Sequence, residues 1–200
     1  MDQPDPFHGL KEPGPPETAI THVRASFTRG LQRRAMDQGP EAWASLLAEV
    51  SPACRAVFAK PLGVFQWVEA GLVNELTEAC ATRGPADDLG LRAALTAEEH
   101  LTVAHPWLLK LLSPETLVRQ GPTLFRFYHR GGVIRLESVG PGCGALSIWA
   151  TGLYAGWSAI AIPAWMRRAL ELAGAEEAAV EHLPPPPGSL RHRYLLRWKD

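Results

Sequence analysis

The chain is expected to form an α+β fold, an N-terminal helical layer packed on a C-terminal antiparallel sheet with one crossing helix. Apolar residues recur at helical spacing as far as Arg119, the pattern changes to period two after Gly121-Pro122, and Pro163 and Gly174 bracket one amphipathic stretch between strand patterns.

With 200 residues and 46% hydrophobic content, the chain can bury a substantial core as one unit over 18–200. The preceding stretch 1–17 holds Pro4, Pro6, Pro13, Pro15 and Pro16 with few aliphatics, the composition of a disordered tail.

Helical spacing of Ile20, Val23, Phe27 and Leu31 predicts a basic amphipathic helix over 18–36, carrying Arg24, Arg29, Arg33 and Arg34. Trp43, Leu46 and Leu47 predict a short helix over 41–49 that ends before Pro52, and Pro52 suits the first position of the next. Phe65, Val68, Leu72, Val73 and Leu76 predict a helix through Cys80, with Gly84-Pro85 as its stop. Thr96 followed by Glu98 and Glu99 reads as a capped start for a helix over 101–112, broken near His105-Pro106. Ser113-Pro114-Glu115 opens a short helix through Arg119.

Strands are predicted over 124–130, 133–139 and 145–150, joined by Gly131-Gly132 and by Gly140-Pro-Gly-Cys-Gly144. Pro163 then opens a helix with Met166, Ala169, Leu170 and Ala173 on one face, stopped at Gly174. A final hairpin joins 177–183 to 190–198 across Pro184-Pro185-Pro186-Pro187-Gly188. Symmetric pairing about that loop sets His182 opposite His192, Val180 opposite Tyr194 and Glu181 opposite Arg193. Strand alternation then gathers Val180, His182, His192, Tyr194, Leu196 and Trp198 on one face, so His182 and His192 form a polar pair at its rim.

Charge and motif patterns exclude several functions. Lys+Arg 20 against Asp+Glu 21 leaves no field to attract nucleic acid. Cys54, Cys80 and Cys143 match neither a disulfide framework nor a metal knuckle, and the acidic start does not resemble a secretory signal. A cytoplasmic location is expected. The uncharged run 138–166 is long enough to cross a bilayer, but its glycines and Pro163 mark turns and element ends, so no membrane span is expected. Gly140 to Gly144 lacks the following helix of a phosphate loop, and no motif supplies Cys143 with a base. Glu98-Glu99-His100 with His105 lacks zincin spacing, and neither Gly-x-Ser-x-Gly nor Gly-x-x-x-x-Gly-Lys occurs. No catalytic residue, metal or cofactor is expected.

Most of the tryptophans are core material. Tyr154, Trp157 and Trp165 lie in the uncharged crossing between strand and helix, where an exposed cluster would form a contact patch. Trp149, Tyr194 and Trp198 complete the aromatic set that would contact a ligand or partner.

The run from Phe125-Arg-Phe-Tyr128 through Gly131-Gly-Val-Ile-Arg135, Trp149, Gly156-Trp157, Ala169-Leu-Glu-Leu-Ala-Gly174 and Tyr194-Leu-Leu-Arg-Trp198 resembles a family of uncharacterised, paralogous myxobacterial proteins. That family is distantly similar to the superfamily of 4-vinyl reductase domains, haem-NO-binding-like domains and TRAPP trafficking-complex small subunits. The resemblance implies helices on an antiparallel sheet, dimerisation through helices, and in several branches an apolar small molecule held between them. It does not carry zinc, because no cysteine follows Cys143, nor haem, because the Tyr-x-Ser-x-Arg element is absent.

Two functions follow. One is a non-enzymatic interaction or regulatory module that self-associates as a homodimer or binds a protein partner. The alternative is a sensor that holds an apolar small molecule between helices and sheet. A void enclosed by Trp149, Trp157, Tyr194 and Trp198 would favour the second.

Overall fold

Most of the helices begin where the sequence supplies a proline or a capping hydroxyl. In the computed structural model, which describes Phe7, 12–83, 88–104 and 113–199, Ser51 accepts from the Cys54 amide and Ser113 from the Thr116 amide, each followed by proline. Caps of this kind stabilise a helix by about 1 kcal/mol.

Helices α1 (Pro15–Thr18), α2 (Ser26–Asp37), α3 (Pro40–Glu49) and α4 (Pro52–Phe58) are followed by α5 (Ala70–Ala81) and α6 (Asp88–Glu99). Helix α6 runs into a π-helical turn over His100–Ala104, and α7 covers Pro114–Tyr128. Three short strands, β1 (His22–Arg24), β2 (Trp67–Glu69) and β3 (His129–Arg130), are threaded among them and pair antiparallel in the order β2-β1-β3. The C-terminal part contributes β4 (Val133–Gly140), β5 (Cys143–Trp149), a π-helical turn (Trp157–Ala161), α8 (Ile162–Leu172), β6 (Glu176–Leu183) and β7 (Arg191–Lys199). The last four strands form an antiparallel sheet in the order β4-β5-β7-β6. The architecture is therefore α+β, as predicted. No helix among the described residues is long and apolar enough to cross a membrane.

Five local expectations are corrected. The helix over 18–36 begins only at Ser26, because His22–Arg24 is strand β1, and the helix through Cys80 begins only at Ala70, because Trp67–Glu69 is strand β2. These strands pair with each other, Val23 opposite Val68, and the Arg24 guanidinium lies 3.8 Å from the Trp67 ring centroid. Long-range pairing overrides a local apolar spacing that fits either structure.

Thr96 is not a helix start. It lies inside α6, with its hydroxyl donating 2.9 Å to the Arg92 carbonyl, and Glu98 and Glu99 pair with Arg168 and Arg33 instead of capping. Residues 84–87 and 105–112 lie outside the described residues, so the stop at Gly84-Pro85 and the break at His105-Pro106 do too.

Pro122 does not end α7, and 124–128 is helix where a strand was predicted. An internal proline costs about 3 kcal/mol. Against it stand Leu117, Val118, Leu124, Phe125 and Tyr128, all buried at helical spacing and each contributing about 1.5–3 kcal/mol. Burial wins.

The final hairpin keeps its predicted faces but not its register. His182 pairs with Tyr194, Val180 with Leu196 and Glu181 with Leu195, a slip of two residues from the symmetric guess. The turn centres on Gly188, whose φ of 81° only glycine adopts readily, rather than on Pro187. Because the slip is even, the residues that face inward are unchanged.

Candidate functional site

Between the helices and the four-stranded sheet lies a cavity of about 140 Å³ with a predominantly apolar wall. Its floor is the inner sheet face, where Ile134 pairs with Ile148 and Gly144 with Leu196. Helices α2, α5, α6, α7 and α8 supply most of the remaining wall, completed by β1, β3 and the segment 153–161.

The aromatic residues singled out in the sequence divide. Tyr154, Trp157 and Trp165 line the cavity. Trp157 is only 4% exposed and Tyr154 and Trp165 are half-buried, so the three form a wall of the cavity and not the exposed cluster that would make a contact patch. The π-helical turn that starts after left-handed Gly156 turns Trp157 inward. Tyr154 is held by Asn74, which accepts from its amide at 3.1 Å and donates to the Gly152 carbonyl at 2.6 Å. Burial pushes the Tyr154 phenol well above its ordinary pKa, so it stays neutral.

Trp149, Tyr194 and Trp198 are buried but are not among the lining residues. Trp149 is on the opposite sheet face, where its indole donates to Glu12 and where Arg191, bonded to Ser147 at 3.1 Å and to the Phe7 carbonyl, sits between the Trp149 and Phe7 rings. Glu12 also accepts from Ser189 at 2.8 Å, so described residues of the stretch 1–17 cover that face. Tyr194 reaches over the inner face to donate 3.0 Å to the Ser158 carbonyl and anchors the π-helical turn to β7. Of Trp149, Trp157, Tyr194 and Trp198, the four whose enclosing a void would favour the sensor, Trp157 lines the cavity and the other three do not.

His129 is the lining residue that the sequence did not reveal, because its stretch read as an ordinary strand. It pairs with Val23 across β1 and β3, and both side chains reach the cavity wall. The ring is 6% exposed and is surrounded by Phe125, Phe27 and Trp157, with centroids 4.4, 5.2 and 5.7 Å away. Burial lowers its pKa to about 4, partly offset by the backbone bond to Phe125, so it is neutral at pH 7. Nδ1 lies 3.1 Å from the Phe125 carbonyl, which can only accept, so Nδ1 carries the proton and Nε2 the lone pair. Nε2 has no hydrogen-bond partner among the described residues, nor has the Trp165 indole nitrogen. Thr77 and Thr96, also in the wall, spend their hydroxyls on helix carbonyls.

Elsewhere, chemistry is sparse. Among the described residues no group of three or more His, Cys, Asp or Glu side chains is arranged to hold a metal. Cys143 is exposed at the β4–β5 turn, while burial raises the Cys54 thiol to about 11 and makes it a poor nucleophile. His182 and His192 do meet, but on the sheet rather than in the cavity wall.

No family model and no curated protein matches the sequence. Solved structures do match. An H-NOX point mutant from K. algicida, solved as Fe(II) unliganded, superposes with a TM-score of 0.68 at 9% identity, covering 89% of this chain and 97% of that one. The unmutated K. algicida protein gives 0.67 at 12% identity, with the same coverage. An H-NOX protein from S. oneidensis in the Fe(II)NO ligation state gives 0.63 at 12% identity, covering 89% of this chain and all of that one. This chain thus has an H-NOX-like fold.

Proposed function

We propose that this chain is a non-enzymatic sensor module whose internal cavity takes a small apolar molecule. The cavity itself carries this reading: about 140 Å³ of space at the junction of five helices and a sheet, walled by Trp157, Tyr154, Trp165 and aliphatic side chains. An engineered apolar cavity of about 150 Å³ takes benzene, which sets the scale of the occupant. Likeness in fold to proteins solved with Fe(II) and NO supports a sensing role and links it to the haem-NO-binding branch of the sequence resemblance. Kinship with the 4-vinyl reductase, TRAPP and myxobacterial branches rests on that resemblance.

Haem is the group such a fold implies. His129 offers the imidazole lone pair that haem iron takes, but the space does not fit: pockets for drug-sized ligands span roughly 300–1,000 Å³, and haem is larger than most such ligands. Nor does the wall suit two propionates, since its cation is Arg92, which already donates to the Cys80 carbonyl at 3.4 Å.

Titration with benzene and p-xylene, followed by Trp fluorescence and thermal unfolding, tests the reading. Saturable binding is expected, with stabilisation of about 2.7 kcal/mol at a hundredfold excess over Kd. Failure of both probes to bind, or a stoichiometric complex on titration with haem, would overturn it.

Self-association is the second reading. Leu91 and Leu95 are exposed one turn apart on α6, and Ile160, near Gly90, is exposed beside them. Light scattering at high concentration tests it: a dimer lost on Leu91→Asp with Leu95→Asp supports it, and a monomer throughout rejects it.

A further inference from the structure

The face of the four-stranded sheet turned away from the cavity gathers three guanidinium groups. Arg135 pairs with Ser147 and Ser147 with Arg193, so two arginines flank one serine in a single row, and Arg191 pairs with Trp149 in the next. Leu146 and Ile148, which alternate with Ser147 along β5, line the cavity on the other face. Arg191 Nε donates 3.1 Å to the Ser147 hydroxyl, and the Arg135 guanidinium lies 5.2 Å from the Trp149 ring centroid. Farther along β7, Arg197 pairs with Glu181, but Arg191 and Arg193 have no carboxylate at ion-pair distance among the described residues.

The chain covers this face with its own Phe7 and Glu12. Phe7 is 3% exposed, its ring centroid 5.4 Å from the Arg191 guanidinium and 5.5 Å from that of Arg193, and its carbonyl accepts from Arg191. Glu12 accepts from the Trp149 indole and, at 2.8 Å, from Ser189, whose hydroxyl in turn accepts 3.0 Å from the Arg191 amide. The cover thus has the form of a bound peptide: a ring against two cations and, further along, a carboxylate on an indole N–H.

The fit is incomplete in charge. Glu12 is spent on Trp149 and Ser189, and what meets Arg191 and Arg193 is a neutral ring and a neutral carbonyl. A carboxylate bonds a guanidinium more strongly than a carbonyl does, the more so where water is excluded. A segment with the same ring and one more carboxylate is therefore a better ligand for this face than the chain's own cover. The cover is also displaceable, because two contact points must offset the chain entropy of the stretch that joins them.

We propose that this outer face is a docking surface for an acidic segment of a partner protein, bearing one aromatic ring and at least two carboxylates, which replaces Phe7 and Glu12. The surface lies across the sheet from the cavity and does not depend on what the cavity holds. A protein segment is favoured over a polynucleotide because the occupant seen contributes a ring and a backbone carbonyl as well as a charge.

The full chain carrying Phe7→Ala and Glu12→Gln, which uncovers the face, is titrated into a dye-labelled synthetic peptide of residues 1–14 and followed by fluorescence anisotropy. Saturable binding is expected, about tenfold tighter when the peptide carries His8→Glu, which sets a carboxylate next to the ring, and about tenfold weaker when it carries Phe7→Ala. Arg193→Gln in the chain is expected to bring the His8→Glu peptide within about twofold of the unaltered one. The wild-type chain should bind each peptide about tenfold or more weakly than the uncovered variant, because its own cover competes. Should that variant not fold, NMR of the wild-type indole groups decides: the Trp149 Nε1–H resonance is expected to move on saturation with the His8→Glu peptide. No binding of any peptide by the folded variant, indifference to Phe7→Ala or Arg193→Gln, an unmoved Trp149 resonance, or displacement of the peptide by oligouridylate of equal charge overturns the proposal.

Discussion

His182 Nε2 lies 2.9 Å from His192 Nδ1, with the two rings stacked at 24° and the Tyr194 ring 5.2 Å beyond. One nitrogen must donate and the other accept, so the pair tolerates at most one added proton. Both imidazoles are held below the ordinary histidine pKa, His182 by burial and His192 by burial and then by His182. Replacing His182 with Ala removes a like charge and part of the cover, and the pKa of His192 is expected to rise toward 6.5 in an NMR titration. An unchanged value would mean that the contact is not made in solution.

Acid should destabilise the fold well above the carboxylate range. His129 has a folded pKa of about 4, against an unfolded value of 6.5. Between these limits the unfolded chain binds more protons, so stability is full above pH 6.5 and is lost as the pH falls toward 4, by on the order of 3 kcal/mol. His182 and His192 act in the same direction. Urea unfolding from pH 7 to 4 should show this slope, and His129→Phe should flatten it; an unaltered slope in that variant would assign the effect elsewhere.

Gly131 and Gly174 both have left-handed φ angles, 85° and 94°, yet differ in surroundings. A Cβ on Gly131 would fall 1.9 Å from the Ala19 carbonyl oxygen, whereas one on Gly174 would meet nothing within 4 Å. Gly174→Ala should therefore cost only the backbone term of about 1–2 kcal/mol. Gly131→Ala should cost clearly more, because the chain 18–21, which bonds to Thr151 through Thr18 and Ile20 and to Arg130 through Thr21, must move. Equal losses in urea unfolding would contradict the close approach.

Gly30 is in the interior of α2 and in the cavity wall, with 3.8 Å between a would-be Cβ and the Thr96 hydroxyl, an ordinary contact. Gly30→Ala should stabilise the protein by about 0.5–1 kcal/mol through helix propensity while narrowing the cavity. Greater stability together with weaker p-xylene binding is the expected pair of changes; unaltered binding would place Gly30 away from the occupied volume.

Legibility in the sequence followed the range of the interactions. Helix α8 and strands β4 and β5 could be read because Pro163, Gly174 and an alternation of a few residues specify them locally. Strands β1 and β2 could not, since what makes Val23 and Val68 extended is their pairing across more than forty residues. In α7, Pro122 was a misleading stop sign, overruled by a buried stripe whose partners are remote in sequence. The hairpin register failed at one glycine, but its faces survived, so the meeting of His182 with His192 was foreseen for a pairing that does not occur. In the candidate site, Tyr154, Trp157 and Trp165 were found by their density in an uncharged run. His129 carried no such signal, because a ring edge left over after one backbone bond is a property of the folded chain alone.

The winding over Trp157–Ala161 closes its bonds five residues back, as from Ala161 to Gly156 at 3.1 Å, and so accommodates one residue more than an ordinary turn. Removing a single codon there would leave an ordinary turn, so Met166 and Leu170 would keep their face toward the sheet while the wall beside Trp157 lost one residue. Chamber size in descendants of this protein is thus open to inheritance in whole-residue steps as well as by gradual side-chain exchange.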